Sequence, residues 1–319
     1  MKGRCLIGMY LKRHRKSKLR KSFIKENIQM MLMAIPGIVL LFIFNYLPLT
    51  GIALAFKKYK PMLGIWGSPW IGFDNFKFFF MSSDALRVIR NTVLYSLTFI
   101  IFDLITAVGL ALMLYYLKSR KATKFYNTVV ILPKFMSMVV IAFIVYALLS
   151  PTFGVFNQVL ERFGVEAINW YAEPEYWPAI LTVTHIWQVV GMNSVLYYSS
   201  LMGMDESLLE AAKVDGANLK QQIWHVIIPH LVPIMIITTI LALGHIFSGN
   251  LDLYYQVPRN QGLLYPTTDV INTYVYRALQ GGSLESSTAV NLFQSIVGFV
   301  MVILANGVIR KISPENSMF

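Results

Sequence analysis

Few side chains in this sequence could do chemistry, and the densest group lies between Met204 and Pro229. That segment reads MDESLLEAAKVDGANLKQQIWHVIIP and sets Asp205, Glu206, Glu210 and Asp215 among small residues. Asp205 is a good helix N-cap, and Glu206 falls in the first turn, where the helix dipole favours an acid. Leu208, Leu209 and Ala212 share one face at helical spacing. Asp215-Gly216 is a turn signal that ends this short helix. A second helix can begin near Asn218, with Ile223, Val226 and Ile227 on its apolar side, and Pro229 is expected to interrupt it. Ala211, Ala212, Gly216 and Ala217 carry little bulk, so another protein's backbone can approach closely. The plainer alternative is an amphipathic helix that only packs under the rest of the chain.

The other ionisable groups are sparse. Asp103 lies about twelve residues, about 18 Å, into an apolar stretch, and a lone carboxylate there is a functional candidate. A structural bond to a neighbouring helix is the better reading, because proton relays need more than one ionisable group. His225 and His230 are five apart, about 140° around a helix, and so face different ways. No Cys or carboxylate completes a tetrahedral metal set with them. Cys5 is the single cysteine, which excludes an internal disulfide. No phosphate-binding G-x-x-x-x-G-K-[ST] loop, nucleophile elbow, zinc-protease helix or dinucleotide turn is present. No catalytic residue, metal ligand or bound cofactor is expected in this chain.

The elements that must position these residues follow from composition. Of 319 residues, 56% are hydrophobic and only 14% charged, with a mean hydropathy of +0.55. A soluble domain carries about 25% charged residues, so a soluble enzyme is excluded. The net charge of +12 is concentrated: ten of the 28 basic residues lie between Lys2 and Lys25, without an acid among them. The other 18 stand against all 16 acids. The stretch Lys12 to Lys21 lacks aromatic interleaving, which disfavours nucleic acid and favours anionic lipid. Stretches almost free of charge mark six spans, at 27–56, 91–117, 135–150, 176–204, 231–250 and 288–309. The first, about 45 Å as helix, exceeds a bilayer core of about 30 Å and reads as a retained anchor. Pro133-Lys134 marks the start of the third. The fourth holds only His185 and the fifth only His245. With both termini inside and Lys134 set aside, 18 basic residues fall on the inner side and nine on the outer. That orientation satisfies the positive-inside rule. Its weak point is six basic residues in the first outer loop.

The chain is thus expected to be all-α: a polytopic membrane protein with six transmembrane helices, N-in/C-in, and a short cytoplasmic helix between the fourth and fifth. Its expected divisions are a basic tail (1–26), a first transmembrane helix with outer loop (27–90), a core of five helices (91–309) and a C-terminal tail (310–319).

The inner segment resembles the EAA loop of binding-protein-dependent ABC importer permeases. It carries Glu210-Ala211-Ala212, then Gly216, Ile223 and Ile228-Pro229, with isoleucine where that family often has leucine. Tyr46-Leu47-Pro48, Gly51-Ile52-Ala53-Leu54-Ala55-Phe56 and Trp70-Ile71-Gly72-Phe73-Asp74-Asn75-Phe76 are similar to the polysaccharide and aldouronate branch of the carbohydrate importers. Asn91-Thr92 also matches that group. The resemblance implies a bacterial cytoplasmic-membrane permease paired with a second, homologous permease and two ATP-binding subunits. An external solute-binding protein would deliver an oligosaccharide, and Mg-ATP would be used by the partners alone. It implies that Glu210, Ala211, Ala212, Asp215, Gly216, Ala217 and Pro229 form the ATPase-coupling element.

Sugars are held by aromatic faces and neutral hydrogen-bonding groups. Candidate path residues are therefore Trp187, Gln188, Asn193, Tyr197, Asn250, Tyr254 and Gln294, with Asp103. Bonds between helices and interfacial aromatic belts are the alternative for each. The scarcity of basic residues within the spans disfavours a heavily anionic solute. An ion-coupled secondary transporter would show internal repeats and several midplane ionisable groups, and only Asp103 fits. A non-transporting scaffold leaves the loop at Glu210 without a role.

Overall fold

The computed structural model of the chain describes Ile28 and residues 30–312. The basic tail with Cys5 lies outside the described residues, as does residue 313 onward. Apart from one isolated bridge between Lys57 and Trp70, the described secondary structure is helical.

The first helix, α1 (Met30–Phe56), stands apart from the bundle along its most apolar stretch. Its outer end is clamped. The Asn75 amide donates to the carbonyls of Ala55 and Lys57, both at 3.0 Å. Phe56 stacks on Trp70 and meets Phe73 and Phe76 edge-on or tilted. The aromatic loop after the first span thus packs on itself.

Helix α2 (Ser83–Tyr115) starts eight residues before the uncharged stretch. Its first turns carry Asp84, Arg87 and Arg90, which stay helical above the apolar zone. Arg87 bonds Asp84 at 2.9 Å and the buried Asp269 at 3.2 Å. Asp269 also holds Arg277 at 2.7 Å and accepts from the Thr273 hydroxyl at 2.7 Å. Lys57 is buried and donates to the carbonyls of Ile65 and Trp66, and Lys77 pairs with Asp74. The basic residues of the first outer loop are therefore largely occupied by the fold.

The third span departs most from expectation. Helix α3 (Arg120–Ile131), continued by a tight turn over Leu132–Phe135, meets α4 (Met138–Leu149) at a bend of 99°. The 12 residues of α4 rise about 18 Å, too little to cross alone. Five helices are long and apolar enough to cross a membrane, and the bent pair, counted as one broken span, brings the number to six. Pro133 lies inside the tight turn rather than opening a span. Ser119 and Ser137 cap the two arms by accepting from the backbone N–H groups of Ala122 and Val140. The outer helix α5 (Val155–Arg162) follows.

Helix α6 (Trp177–Met202) packs along α2 and receives α3 at Gly191. After the surface helix α7 (Glu206–Val214), α8 (Leu219–Gly244) forms the fifth span. It is not interrupted at Pro229. A π-turn over Ile223–Ile227 re-registers the helix so that the proline falls in the first turn of the next α-helical stretch, where its missing donor is tolerated. The span ends at Gly244, six residues before the expected Asn250. Asn250 instead caps α9 (Leu251–Gln256) by accepting from Asp252 and Leu253. Helices α10 (Ile271–Gln280) and α11 (Leu284–Ile312) complete the chain. Arg310 and Lys311 belong to the last turn of α11 rather than to a separate tail.

At Gly191 an added Cβ would overlap the Val130 carbonyl oxygen, whereas one at Gly109 would meet nothing within 4 Å. Gly191→Ala is expected to destabilise the protein by about 1–3 kcal/mol, the usual cost of overpacking. Gly109→Ala should be neutral or slightly stabilising, since alanine is the better helix former. Thermal unfolding of the two purified variants, followed by size-exclusion profile, checks the pair.

Candidate functional site

The break after Gly244 builds a cavity. Between His245 and Asn250 the backbone leaves the helix among apolar spans, and its carbonyls lose their helical donors. Side chains do so instead. Ser96 donates to the Ile246 carbonyl at 2.5 Å and Gln294 to the Phe247 carbonyl at 2.6 Å. Asn272 donates to the Gly249 carbonyl and accepts from Gln294 at 2.7 Å. The irregular segment thereby walls a space of about 410 Å³ between α2, α6 and α8.

Ser96, Phe99 and Asp103 form one stripe of α2 along this cavity, at the i, i+3, i+7 spacing of a helix face. Asp103 meets His185 of α6, Oδ2 to Nε2, at 3.0 Å. The His185 ring lies flat on Phe99, centroids 3.9 Å apart at 5°. Tyr254 lies edge-on to Tyr95 at 5.0 Å and parallel to Phe99 at 6.3 Å. Tyr197 and Thr238 join across α6 and α8 at 2.9 Å. The Thr238 hydroxyl gives its proton to the Ile234 carbonyl, so Tyr197 is the donor to Thr238. The lining is therefore aromatic faces with hydroxyl, amide and imidazole groups around one carboxylate.

Five of the eight path residues named from sequence line this space: Asp103, Asn193, Tyr197, Asn250 and Tyr254. Trp187, Gln188 and Gln294 do not. Trp187 points to the outer surface of α6, and Gln188 is buried away from the cavity. Gln294 donates to the broken backbone and to Asn272, bonds between elements. Sequence reasoning left out His185 and His245, both in the lining. Each is visible in the sequence as a lone histidine in an apolar stretch. Its partners across the bundle are not, since Asp103 is 82 residues from His185.

The second region is α7 and the turn after it. Asp205 caps α7 by accepting the Ser207 N–H at 3.0 Å. The bond from the Ser207 backbone, then that from its hydroxyl, holds the Asp205 carboxyl below its ordinary value. At the far end Gly216 adopts φ +80°. Its N–H bonds the Lys213 carbonyl and that of Ala217 bonds the Ala212 carbonyl, which is the Schellman ending that favours glycine. Asn218 and Gln221 then cap each other reciprocally at 2.8 and 3.0 Å. Leu209 is buried with Met204, Leu201, Ile227 and Tyr197, while Leu208 is exposed, so only part of the expected apolar face docks. Glu210, Ala211, Asp215 and Gly216 remain exposed, and Ala212 and Ala217 are half-buried. A notch of about 240 Å³ between the two helices is lined by Ala212, Asp215, Gly216 and Ala217, with Gln221 and His225. Pro229 lies outside this notch, on α8.

A multi-spanning bundle with a capped surface helix, a broken fifth span and a polar central cavity defines a membrane permease. Residues 105–314 match the family described as binding-protein-dependent transport system inner membrane component. The chain is 32% identical over 306 residues to the polygalacturonan/rhamnogalacturonan transport system permease protein YteP of Bacillus subtilis, covering 94% of each chain. It is 30% identical over 294 residues to Protein LplB of the same organism, covering 92% of each. A solved bacterial ABC transporter involved in the import of the acidic polysaccharide alginate contains a chain that is 34% identical. The two superpose with a TM-score of 0.83 over 91% of this chain and 98% of that one. This chain belongs to the binding-protein-dependent transport system inner membrane component family. It is a multi-pass permease of an ABC importer in the inner membrane.

The Asp103–His185 pair makes a checkable statement about stability. His185→Phe leaves the carboxylate without its donor and should cost about 1–3 kcal/mol. Asp103→Asn keeps an acceptor and should cost less, and the double substitution should recover part of the His185→Phe loss. Melting temperatures of the four proteins test this, and simple additivity would show the groups to be independent. The Asp205 cap titrates in a stated direction. Because its folded value is depressed, its contribution is present above the unfolded value of about 3.9 and goes only as pH falls through the lower folded value. Hydrogen exchange across α7 should therefore be flat from about pH 5 to 8 once corrected for intrinsic rates, with Asp205→Ala fraying the helix throughout and Asp205→Asn not.

Proposed function

We propose that this chain is the solute-conducting subunit of an importer for oligosaccharides delivered by an external binding protein. A second, homologous permease pairs with it, and two ATP-binding subunits hydrolyse Mg-ATP and dock at α7. Residues 27–90 supply a first helix and outer loop beside a permease core over 91–309. The observation that carries the reading is a shared side chain. Tyr197 lines the central cavity and also packs in the core that buries Leu209 of α7. A pull on the surface helix is thereby transmitted through packed side chains to the cavity wall, as a rigid two-state element requires. The cavity's tyrosines and phenylalanine offer faces to sugar rings, while Asn193, Asn250 and the Tyr197 hydroxyl offer neutral hydrogen bonds to hydroxyls. Asp103, accompanied by His185, accepts from hydroxyls as well.

Glu210 supplies a charge-assisted contact to an ATPase groove. Ala211, Ala212 and Ala217 set the close approach, Asp215 and Gly216 shape the turn, and Pro229 sits where the coupling segment runs into the fifth span. In the reconstituted complex, Glu210→Lys should lower transport at least about tenfold through loss of a charge-assisted bond and its replacement by repulsion, while the bundle still inserts. Gly216→Leu should act similarly, because a left-handed backbone disfavours a branched side chain by about 1–2 kcal/mol. Transport per ATP hydrolysed in proteoliposomes is the measurement. Wild-type coupling in both variants would remove α7 from the mechanism.

A further inference from the structure

A second cavity, of about 260 Å³, lies on the opposite side of α9 from the central one. Asn250 and Tyr254 face the central cavity, whereas Tyr255 and Gln256 face this outer one, so the short helix is the wall between them. Phe143 and Tyr146 of α4 form the other side, and Arg259 and Asn260 close it. No acid lines it.

The conformation of Arg259 is the telling feature. The Asn260 N–H bonds the Tyr255 carbonyl at 3.0 Å and the Arg259 N–H bonds the Gln256 carbonyl at 3.1 Å. This is the same Schellman ending found at Gly216, and Arg259 occupies the position where glycine is favoured, at φ +57°. Asn260, also left-handed at φ +51°, is a residue type that tolerates the region and is held by the Tyr265 hydroxyl at 2.9 Å. Arginine has no such excuse. Glycine would suit this backbone better, so the presence of arginine is accounted for by its side chain.

That side chain is exposed and held on a ring, without a further protein partner among the described residues. Its guanidinium lies 4.3 Å over the Tyr146 ring and, among the described residues, makes no ion pair or hydrogen bond. Arg87 and Arg277, by contrast, are both committed to Asp269. A planar fork of donors fixed on an aromatic face suits bidentate binding of a carboxylate. Tyr255 adds a ring face and Gln256 an amide for hydroxyls.

We propose that this outer cavity is a sugar subsite that takes a carboxylate-bearing unit, a uronate, beside the wall of the central cavity. Arg259, seated on Tyr146, binds the carboxylate and Tyr255 covers the ring. The proposal rests on the oligosaccharide reading above and narrows it. The central cavity, which has no lysine or arginine in its lining, then handles hydroxyls, so a scarcity of basic residues in the spans does not exclude an acidic solute.

The test uses the permease purified with its native companion subunits in phosphatidylcholine nanodiscs. The probes are trigalacturonate and its methyl ester, with binding read by saturation-transfer NMR titration. The wild type should prefer the acid by about tenfold or more, the scale of one charge-assisted contact. Arg259→Gln should abolish that preference, and Arg259→Lys, a point charge without the fork, should keep only part of it. Arg259→Gly should hold or raise the melting temperature while losing the preference, which separates recognition from folding. Equal binding of the two probes, or an acid preference that survives Arg259→Gln, overturns the subsite. If both trisaccharides bind and are transported regardless of Arg259, the oligosaccharide reading stands and only the subsite falls. If neither binds nor is transported when delivered by the binding protein, both fall. A phospholipid phosphate offers the same anionic oxygens. In nanodiscs containing phosphatidylglycerol, loss of that lipid from Arg259→Gln without any effect on trigalacturonate would assign the cavity to lipid and overturn the proposal.

Discussion

A backbone carbonyl inside a bilayer must have a donor, and this molecule is arranged around one place where the helix fails to provide it. After Gly244 the fifth span stops short, and three carbonyls between His245 and Asn250 take their bonds from Ser96, Gln294 and Asn272. Each donor comes from a different helix, α2, α11 or α10, so the break also fixes how those helices sit around α8. The closeness of α8 and α11 depends on glycine at the same level: a Cβ on Gly298 would lie 2.5 Å from the Gly244 carbonyl oxygen. Irregular backbone at membrane depth is tolerated where it lines a cavity, and here it makes one.

From that cavity to the inner surface there is no gap in the packing. Tyr197, Leu201, Met204 and Leu209 run from the cavity wall to α7, with Ala107, Val108 and Ala111 of α2 against them. Packed cores shift between discrete arrangements rather than deforming continuously. Leu209 of α7 thus shares one buried cluster with α2, α6 and α8, and these three helices bound the cavity. The π-turn at Ile223–Ile227 lets the chain run from the capped turn into α8 without a hinge.

What was legible in the sequence followed from properties that act locally. Uncharged length locates five spans, and the spacing of Asp205, Glu210 and Gly216 locates a capped helix and its left-handed end. The errors share a cause, which is that charge marks where a chain meets water and not where a helix ends. Arg87 and Arg90 are helical though charged, so α2 starts earlier than its apolar stretch. His245 to Asn250 is uncharged though not helical, so α8 ends earlier. Only the apolar part of the third span stands out in the sequence, because nothing local shows that Gly191 receives Val130 and turns the chain. Among the path residues, Asn193 and Tyr197 share the inward face of α6, as their spacing suggests. Gln294 looks the same by type, but its assignment depends on a carbonyl 47 residues away.

The outer basic residues show how much a charge count conceals. Counted alone, six of them in the first outer loop argue against an inside N-terminus. In the fold, Lys57 is buried against carbonyls, Lys77 is paired and Arg87 is locked to Asp84 and Asp269. Charges neutralised within a folded outer loop weigh less in the positive-inside balance than free ones near a span, and the ten in the tail then dominate it. What sets Arg259 apart is its backbone conformation. Among the described residues it belongs to no ion pair, and it stands at a backbone position that its own side chain makes costly. In a protein that elsewhere places glycine at that turn, an arginine there, seated on the Tyr146 ring, points to a ligand.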